Sequence, residues 1–220
     1  MRKLARFCLC LLAATVFSVA QADSFNDFFR AVRSDNASGV ESLLRRGFDP
    51  NTRDERGLTG LLIALREPSP RVIQVLLASP QTNVELRNGN DESPLMLAAI
   101  KGQMDLVKQL IARDADINKP GWTALHYAAS SGQVEIMRLL LEKHAFIDAQ
   151  SPNGTTPLMM AAMYGSPESV RLLLEEGADA SMKNQQNMSA IDFATQGRRP
   201  DAIELLKTVA RAKRPSDGKW

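Results

Sequence analysis

Cysteine, aromatic residues and net charge are all scarce in this chain. Only two of its 220 residues are cysteine, Cys8 and Cys10, and aromatic side chains make up 5%. Two cysteines so close together cannot cross-link a core or supply a structural zinc site, so disulfide scaffolds and zinc fingers are excluded. The formal charge of +2 argues against a polybasic nucleic-acid binder, which needs a dense positive face. The remaining composition, 44% apolar and 24% charged, predicts a globular core of small and aliphatic side chains.

The first 22 residues have the pattern of a secretory signal peptide. A basic start precedes the apolar stretch 7–20, and Ala-Gln-Ala at 20–22 ends it. This pattern predicts cleavage between Ala22 and Asp23. The apolar stretch is shorter than the roughly twenty residues that span a bilayer, so we expect no stable membrane insertion after cleavage. An uncleaved leader that serves as a membrane anchor remains the alternative.

Loss of this leader would leave a chain without cysteine. The leader contains three basic residues and no acidic ones, so the mature chain would have a formal charge of −1. A chain without thiols avoids oxidation and mispairing in an oxidising compartment. We therefore expect a bacterial periplasmic or secreted protein.

A unit of about 33 residues recurs along the rest of the chain. Gly121–Ala129, with the sequence G-W-T-A-L-H-Y-A-A, returns after 33 residues as Gly154–Ala162 and after a further 33 as Asn187–Ala194. Earlier copies begin at Asp91 and Gly57. The central copies continue into a leucine run and a turn such as Gly-Ala-Asp. Such a period indicates a stack of similar units.

The succession of T-P-L-H-x-A-A, leucine run and Gly-Ala-Asp resembles the ankyrin repeat over residues 24–208. The resemblance implies an all-α repeat solenoid, in which helix-turn-helix units are joined by β-hairpin-like fingers and bury their apolar stripes against one another. It divides the domain 23–208 into an N-terminal cap at about 24–56, repeats at about 57–90, 91–120, 121–153 and 154–186, and a C-terminal cap at about 187–208, which lacks the second leucine run. Residues 209–220 are expected to form a flexible basic tail.

Local details of the repeats lead to three further expectations. Hydroxyl side chains are placed to cap the first helices, at Ser93, Thr123 and Thr156. Glycines that follow the first helices are expected to be left-handed, at 102, 132 and 165. The segment 114–121 is three residues short, so the finger before Trp122 is predicted to be truncated.

The sequence carries no recognisable catalytic or metal-binding pattern. Its only histidines are His126 and His144, and their spacing matches no zinc motif. The ankyrin resemblance implies that His126 forms hydrogen bonds to neighbouring loops and that His144 occupies an exposed turn. Nucleophile and phosphate-binding motifs are also missing. We expect no enzyme activity, no cofactor and no metal; a pocket hidden from sequence reasoning is the alternative.

The resemblance implies that another protein binds the concave face formed by the fingertips and the exposed side of the first helices. The candidate contact residues at the fingertips are Arg56, Asn90, Trp122, Asn153 and Met188. The candidates after the Ala-Ala pairs are Ile100, Lys101, Met163 and Tyr164. Trp and Tyr are favoured at binding hot spots. In the alternative arrangement Ile100 and Met163 pack under their own fingers and Trp122 covers its neighbour.

These observations predict a monomeric, non-catalytic protein that binds a partner protein, and not nucleic acid, in the bacterial envelope. Two more specific functions remain open. The alternatives to a general binding module are a dedicated inhibitor or protective chaperone of one periplasmic enzyme, and a secreted effector.

Overall fold

The computed structural model describes residues 23–212, which form twelve helices. The predicted leader with Ala22, and residues 213–220 of the predicted tail, lie outside the described residues. The helices are α1 (23–33), α2 (Ala37–Arg45), α3 (Gly60–Arg66), α4 (Pro70–Ala78), α5 (Pro94–Ile100), α6 (Met104–Ala112), α7 (Ala124–Ser130), α8 (Val134–Glu142), α9 (Pro157–Tyr164), α10 (Pro167–Glu175), α11 (Ala190–Gln196) and α12 (Pro200–Ala212). The described residues contain one isolated antiparallel bridge, Arg53–Thr59, and no sheet.

The chain forms two compact units, which divide between Asn88 and Gly89. The first unit holds α1–α4, and the second holds α5–α12. From α3 onward, a helix of seven or eight residues alternates with one of nine or more along the chain. The predicted all-α ankyrin fold is confirmed.

A large aromatic residue fills the core of the first unit. Phe28 on α1 is fully buried and stacks on Phe48, with the ring centroids 4.5 Å apart. A Cβ on Gly60, the first residue of α3, would lie 2.7 Å from the Phe28 ring. Gly60 therefore leaves the space that the Phe28 ring occupies, and a side chain at this position would collide with the ring.

Four helix pairs stack in the second unit. Its first helices pack in the order α5, α7, α9 and α11, and its second helices in the order α6, α8, α10 and α12. The Ala-Ala pairs at 98–99, 128–129 and 161–162 are 0–1% exposed. Because alanine has a small side chain, these positions allow neighbouring helices to approach closely, as the repeat pattern predicted.

The hydroxyl caps are confirmed at Ser93 and Thr156, which accept from the third helical N–H, whereas the Thr123 hydroxyl lies 2.9 Å from Nδ1 of His126. Ser93, Thr123 and Thr156 are the N-cap residues of α5, α7 and α9. The third helical residue completes each cap from the other side. Met96 and Met159 accept from the N-cap backbone N–H through sulfur, at 3.4 Å, which is a weaker acceptor than oxygen or nitrogen.

The expectation of a left-handed residue is wrong at Gly165. Gly102 and Gly132 have φ of +69° and +72°, but Gly165 has φ of −76°. The reason is that α9 is one residue longer than α7, so the chain turns into α10 without a left-handed residue. A Cβ at Gly165 would overlap the carbonyl oxygen of Ala129. Glycine is needed there for close backbone approach instead.

The last repeat has a complete second helix, and the expectation that it lacks a leucine run is wrong. Ile203, Leu205 and Leu206 stand where the preceding repeat has Val170, Leu172 and Leu173. Helix α12 extends through Ala212, four residues beyond the boundary predicted at 208. Ala202 and Leu206 are buried and hold it in the stack. Residues 209–212 are therefore helical.

Candidate protein-binding surface

The first helices of the second unit separate the candidate residues into two rows. Each of α5, α7, α9 and α11 has seven or eight residues, a length of about 10 Å at 1.5 Å per residue. The fingertip row, at their N-terminal ends, contains Asn90, Trp122, Asn153 and Met188. The turn row, at the C-terminal ends of α5 and α9, contains Ile100, Lys101, Met163 and Tyr164. Arg56 belongs to the first unit.

The turn row presents two large apolar side chains to solvent. Tyr164 is 57% exposed and Ile100 is 37% exposed. Lys101 is exposed and Met163 is half-buried. The repeat between them places small serines, Ser130 and Ser131, at the equivalent positions. Two exposed apolar side chains therefore lie on repeats that are separated by one with serine at these positions.

The fingertip row is more polar than the turn row, and its two large apolar side chains are half-buried. Trp122 is half-buried, with its ring 5.2 Å from the His126 ring in an edge-to-face arrangement. Asn90 and Asn153 are exposed, and Met188 is half-buried. Neighbouring fingertips are joined directly, because the backbone N–H of Gln185 donates to the carbonyl of Asn153 at 2.9 Å.

The shortened finger before Trp122 has a buried lysine. The side chain of Lys119 is 1% exposed, and its Nζ lies 2.6 Å from Asp91 Oδ2. The same ammonium donates to the carbonyl of Pro120 at 2.9 Å. These two contacts neutralise and hydrogen-bond a charge that would be costly to bury alone. The lysine side chain is thus held inside the repeat.

His126 fastens one repeat to the next. Its Nε2 lies 2.9 Å from the carbonyl oxygen of Thr155, and its Nδ1 accepts from the backbone N–H of Thr123 at 3.2 Å. A carbonyl can only accept, so Nε2 carries the proton and the imidazole is neutral. Burial is the main cause that lowers the pKa of His126 from 6.5 to about 4. The expected structural role of His126 is confirmed.

Comparison with known proteins agrees with this geometry. The family model for ankyrin repeats matches residues 28–120, 61–151 and 144–213. The chain belongs to the ankyrin-repeat family. Ankyrin repeats mediate protein–protein interaction, and members of the family are typically non-catalytic interaction modules.

Three similar proteins illustrate the range of ankyrin repeats. The rat ankyrin repeat and SAM domain-containing protein 6 is 35% identical over 111 residues, which are 49% of this chain, but the chain spans only 12% of that protein. The ankyrin domain of Bcl-3 is 30% identical, with a TM-score of 0.67 over 82% of this chain and 81% of that chain. A chain in the structure of the predatory endopeptidase Bd0816 from Bdellovibrio bacteriovorus in complex with immunity protein Bd3460 is 26% identical, with a TM-score of 0.71 over 83% of this chain and 97% of that chain.

Sequence reasoning missed two features of the ankyrin surface. Tyr127 lies half-buried between the two rows, and its hydroxyl donates to Glu92 at 3.0 Å. Phe146 is 64% exposed in the turn after α8, outside the two rows that form the candidate binding surface. A signal for Phe146 was available, because the equivalent residues of the neighbouring repeats are Asp116 and Asp179. Tyr127 aligns with apolar residues that are buried or half-buried in the neighbouring repeats, so its position in the sequence does not indicate a surface residue.

Arg56, the candidate in the first unit, lines a groove of about 750 Å³ beside α1. Phe25 and Phe29 form its apolar wall. Arg33 lies over the Phe29 ring at 5.7 Å and pairs with Asp54 at 2.8 Å. Arg56 is an exposed cation on the finger that forms the opposite side of this groove.

The described residues show no cluster of metal-binding side chains among their histidine, cysteine and acidic residues. Within the same range, no helix is both long and apolar enough to cross a membrane.

Proposed function

We propose that this ankyrin-repeat protein is a non-catalytic inhibitor or protective partner of one enzyme in the bacterial envelope. One observation carries the proposal: the chain is similar, over 97% of that chain's length, to a chain in the complex of an endopeptidase with its immunity protein. The likeness extends over nearly the whole domain and is not limited to a short repeat segment. It favours the inhibitor hypothesis over the alternative of a secreted effector.

The predicted destination supports an envelope partner. The leader pattern of residues 1–22 predicts export, with a mature chain that begins at Asp23. The mature chain would have no cysteine, as suits an oxidising compartment. A protein that protects its cell from an exported enzyme has to be present in the same compartment as that enzyme.

The exposed residues of the two rows support binding through this surface. Tyr164 and Ile100 are large apolar groups that remain in solvent while equivalent positions of the intervening repeat carry serine. Trp122 adds an aromatic edge in the fingertip row. A preformed stack loses little conformational entropy on binding, so contact energy is retained as affinity. Inhibition would then follow from rigid coverage of the enzyme, without chemistry by this chain.

The experiment captures the partner from an envelope extract with the mature protein and then measures affinity and inhibition with the identified enzyme. Tyr164→Ser introduces the residue that the preceding repeat has at this position, Ser131. We expect it to weaken binding by about 30-fold, as loss of a hot spot of about 2 kcal/mol does, with the melting temperature nearly unchanged.

Phe146→Asp is the matched control, because it changes an exposed apolar residue outside the two rows. It should bind and inhibit as the unchanged protein does. If Tyr164→Ser and Trp122→Ala together leave affinity intact, the surface is wrong. If the captured partner is not an enzyme, or retains full activity when saturated, the inhibitor function is wrong. Mass spectrometry of the N-terminus tests export separately.

A further inference from the structure

A groove of about 710 Å³ runs along the second helices of the last two repeats, between α10 and α12. Its floor contains the half-buried side chains of Leu174, Leu205 and Val209. Four exposed carboxylates and one cation also line it. The carboxylates belong to Glu168, Glu175, Asp201 and Glu204, and the cation is Arg171. The groove is therefore apolar inside and strongly acidic along its rim.

The acidic character comes from one position of the repeat. The fifth residue of the second helix is basic in α6, α8 and α10, where it is Lys108, Arg138 and Arg171. In α12 the same position is Glu204. The exchange removes the cation that balances the other helices and leaves the last groove with a formal charge of −3.

We propose that this groove binds the chain's own C-terminal segment, residues 213–220. This segment contains Lys213, Arg214 and Lys219 with a single acid, Asp217, and it also contains Trp220. Its charge is opposite to that of the groove, and its tryptophan offers an apolar side chain to the leucine floor. The cations would lie along the carboxylates and Trp220 would cover Leu174 and Leu205.

The length of the segment is sufficient. It starts immediately after Ala212, and Val209 of the groove lies three residues earlier. The distance back along α12 from Ala212 to Leu205 is about 10 Å at 1.5 Å per residue. Eight extended residues reach about 26 Å. Pro215 is a residue that cannot continue a helix.

The tether is what makes such an interaction effective. Ion pairs at an exposed surface are weak individually and are screened by salt. A segment joined directly to the edge of its own groove binds at a high effective concentration, so weak contacts are sufficient.

Fluorescence of Trp220 tests the proposal on the full mature chain. Trp122 and Trp220 are the only tryptophans, so Trp122→Phe leaves Trp220 as the single reporter. We expect Trp220 to be several-fold less accessible to acrylamide than it is in a synthetic peptide of residues 213–220. The double substitution Glu175→Lys with Glu204→Lys should raise quenching to the level of the peptide.

Two variants keep the result interpretable. Glu142→Lys changes the residue of α8 equivalent to Glu175, outside the groove, and should leave Trp220 protected. Adding Lys213→Glu and Arg214→Glu to the double substitution restores opposite charges and should restore protection; circular dichroism and thermal melting establish that each variant is folded. The proposal is overturned if Trp220 is quenched like the peptide in the starting protein, if protection survives charge reversal of the groove, or if protection increases with protein concentration, because the segment then binds a second copy.

Discussion

The repeats at 121–153 and 154–186 have equal length and the same order of helices, yet they differ at three structural positions. The third residue of the first helix is a histidine in one and a methionine in the other. The glycine after the first helix is left-handed in one and extended in the other. The end of the second helix is a histidine in one and a glycine in the other. The pairs are His126 and Met159, Gly132 and Gly165, and His144 and Gly177.

These differences show that one repeat position can be satisfied by different physical means. Met159 accepts from its N-cap backbone through a weak sulfur acceptor and completes the cap alone. His126 completes the cap and also donates to Thr155 in the next repeat. The hydrogen bond from His126 to Thr155 therefore adds a link between repeats, and the helix cap itself forms without that link, as Met159 shows.

The largest effect is expected at the turn glycine. Gly165→Ala should lower the free energy of unfolding by about 3 kcal/mol, because the new methyl group overlaps backbone atoms that cannot move aside, an overpacking cost at the upper end of the usual range. Gly132→Ala should cost only about 1 kcal/mol, because its neighbours lie at 3.5 Å and the penalty is the left-handed backbone alone. Chemical denaturation measures both. Equal losses in the two variants would contradict the difference in cause.

A pH-dependent effect of similar size is expected at His126. Its pKa of about 4 in the folded chain lies below the ordinary 6.5, so proton binding favours the unfolded chain. The stabilising contribution is complete above pH 6.5 and is lost as the pH falls toward 4, by about 3 kcal/mol in total. Denaturation across this range measures the decline.

His126→Met separates the histidine from the other groups that titrate in the same range. Methionine occupies this position in the repeats on either side, so the cap is retained. At pH 7 the variant should be less stable by about 1–2 kcal/mol, because the carbonyl of Thr155 loses its donor. The difference between the two proteins should shrink as the pH falls. A constant difference would show that the imidazole does not titrate as its burial requires.

The smallest effect is expected at the end of the second helix. His144 has φ of +64° and is exposed, a backbone conformation that costs a non-glycine residue roughly 1–2 kcal/mol. His144→Gly should therefore raise the free energy of unfolding by about 0.5 kcal/mol, since the gain is offset in part by the greater freedom of glycine in the unfolded chain. A small rise in melting temperature checks it. A loss of stability would mean that the histidine side chain makes a contact of its own.

Much of the fold could be predicted because the repeat pattern is local. Ser93, Thr123 and Thr156 were identified as caps from a hydroxyl followed by an apolar run. The short finger was recognised from spacing alone. Gly165 was misjudged because its role depends on Ala129 of the preceding repeat, which no local pattern reports. The end of α12 was placed too early because Leu205 and Leu206 were not recognised as the leucine run of the last repeat.

The candidate surface was only partly predictable. The exposure of Tyr164 and Ile100 follows from their repeat positions. The division into two rows depends on the length of the first helices, and the edge-to-face contact of Trp122 depends on His126 beneath it. The groove between α10 and α12 could not be predicted from the sequence, since it is lined by side chains of two helices that are distant in the chain.

The amino-acid sequence by itself determined the period, the helix pairs and the caps, because each depends on residues within one repeat and on short-range backbone chemistry. Tertiary structure alone decided which glycine faces a neighbouring carbonyl, how Lys119 is neutralised, and which carboxylates share a groove. These outcomes depend on the packing of one repeat against another, where distances of a few ångströms determine whether a side chain fits, pairs or stays in solvent.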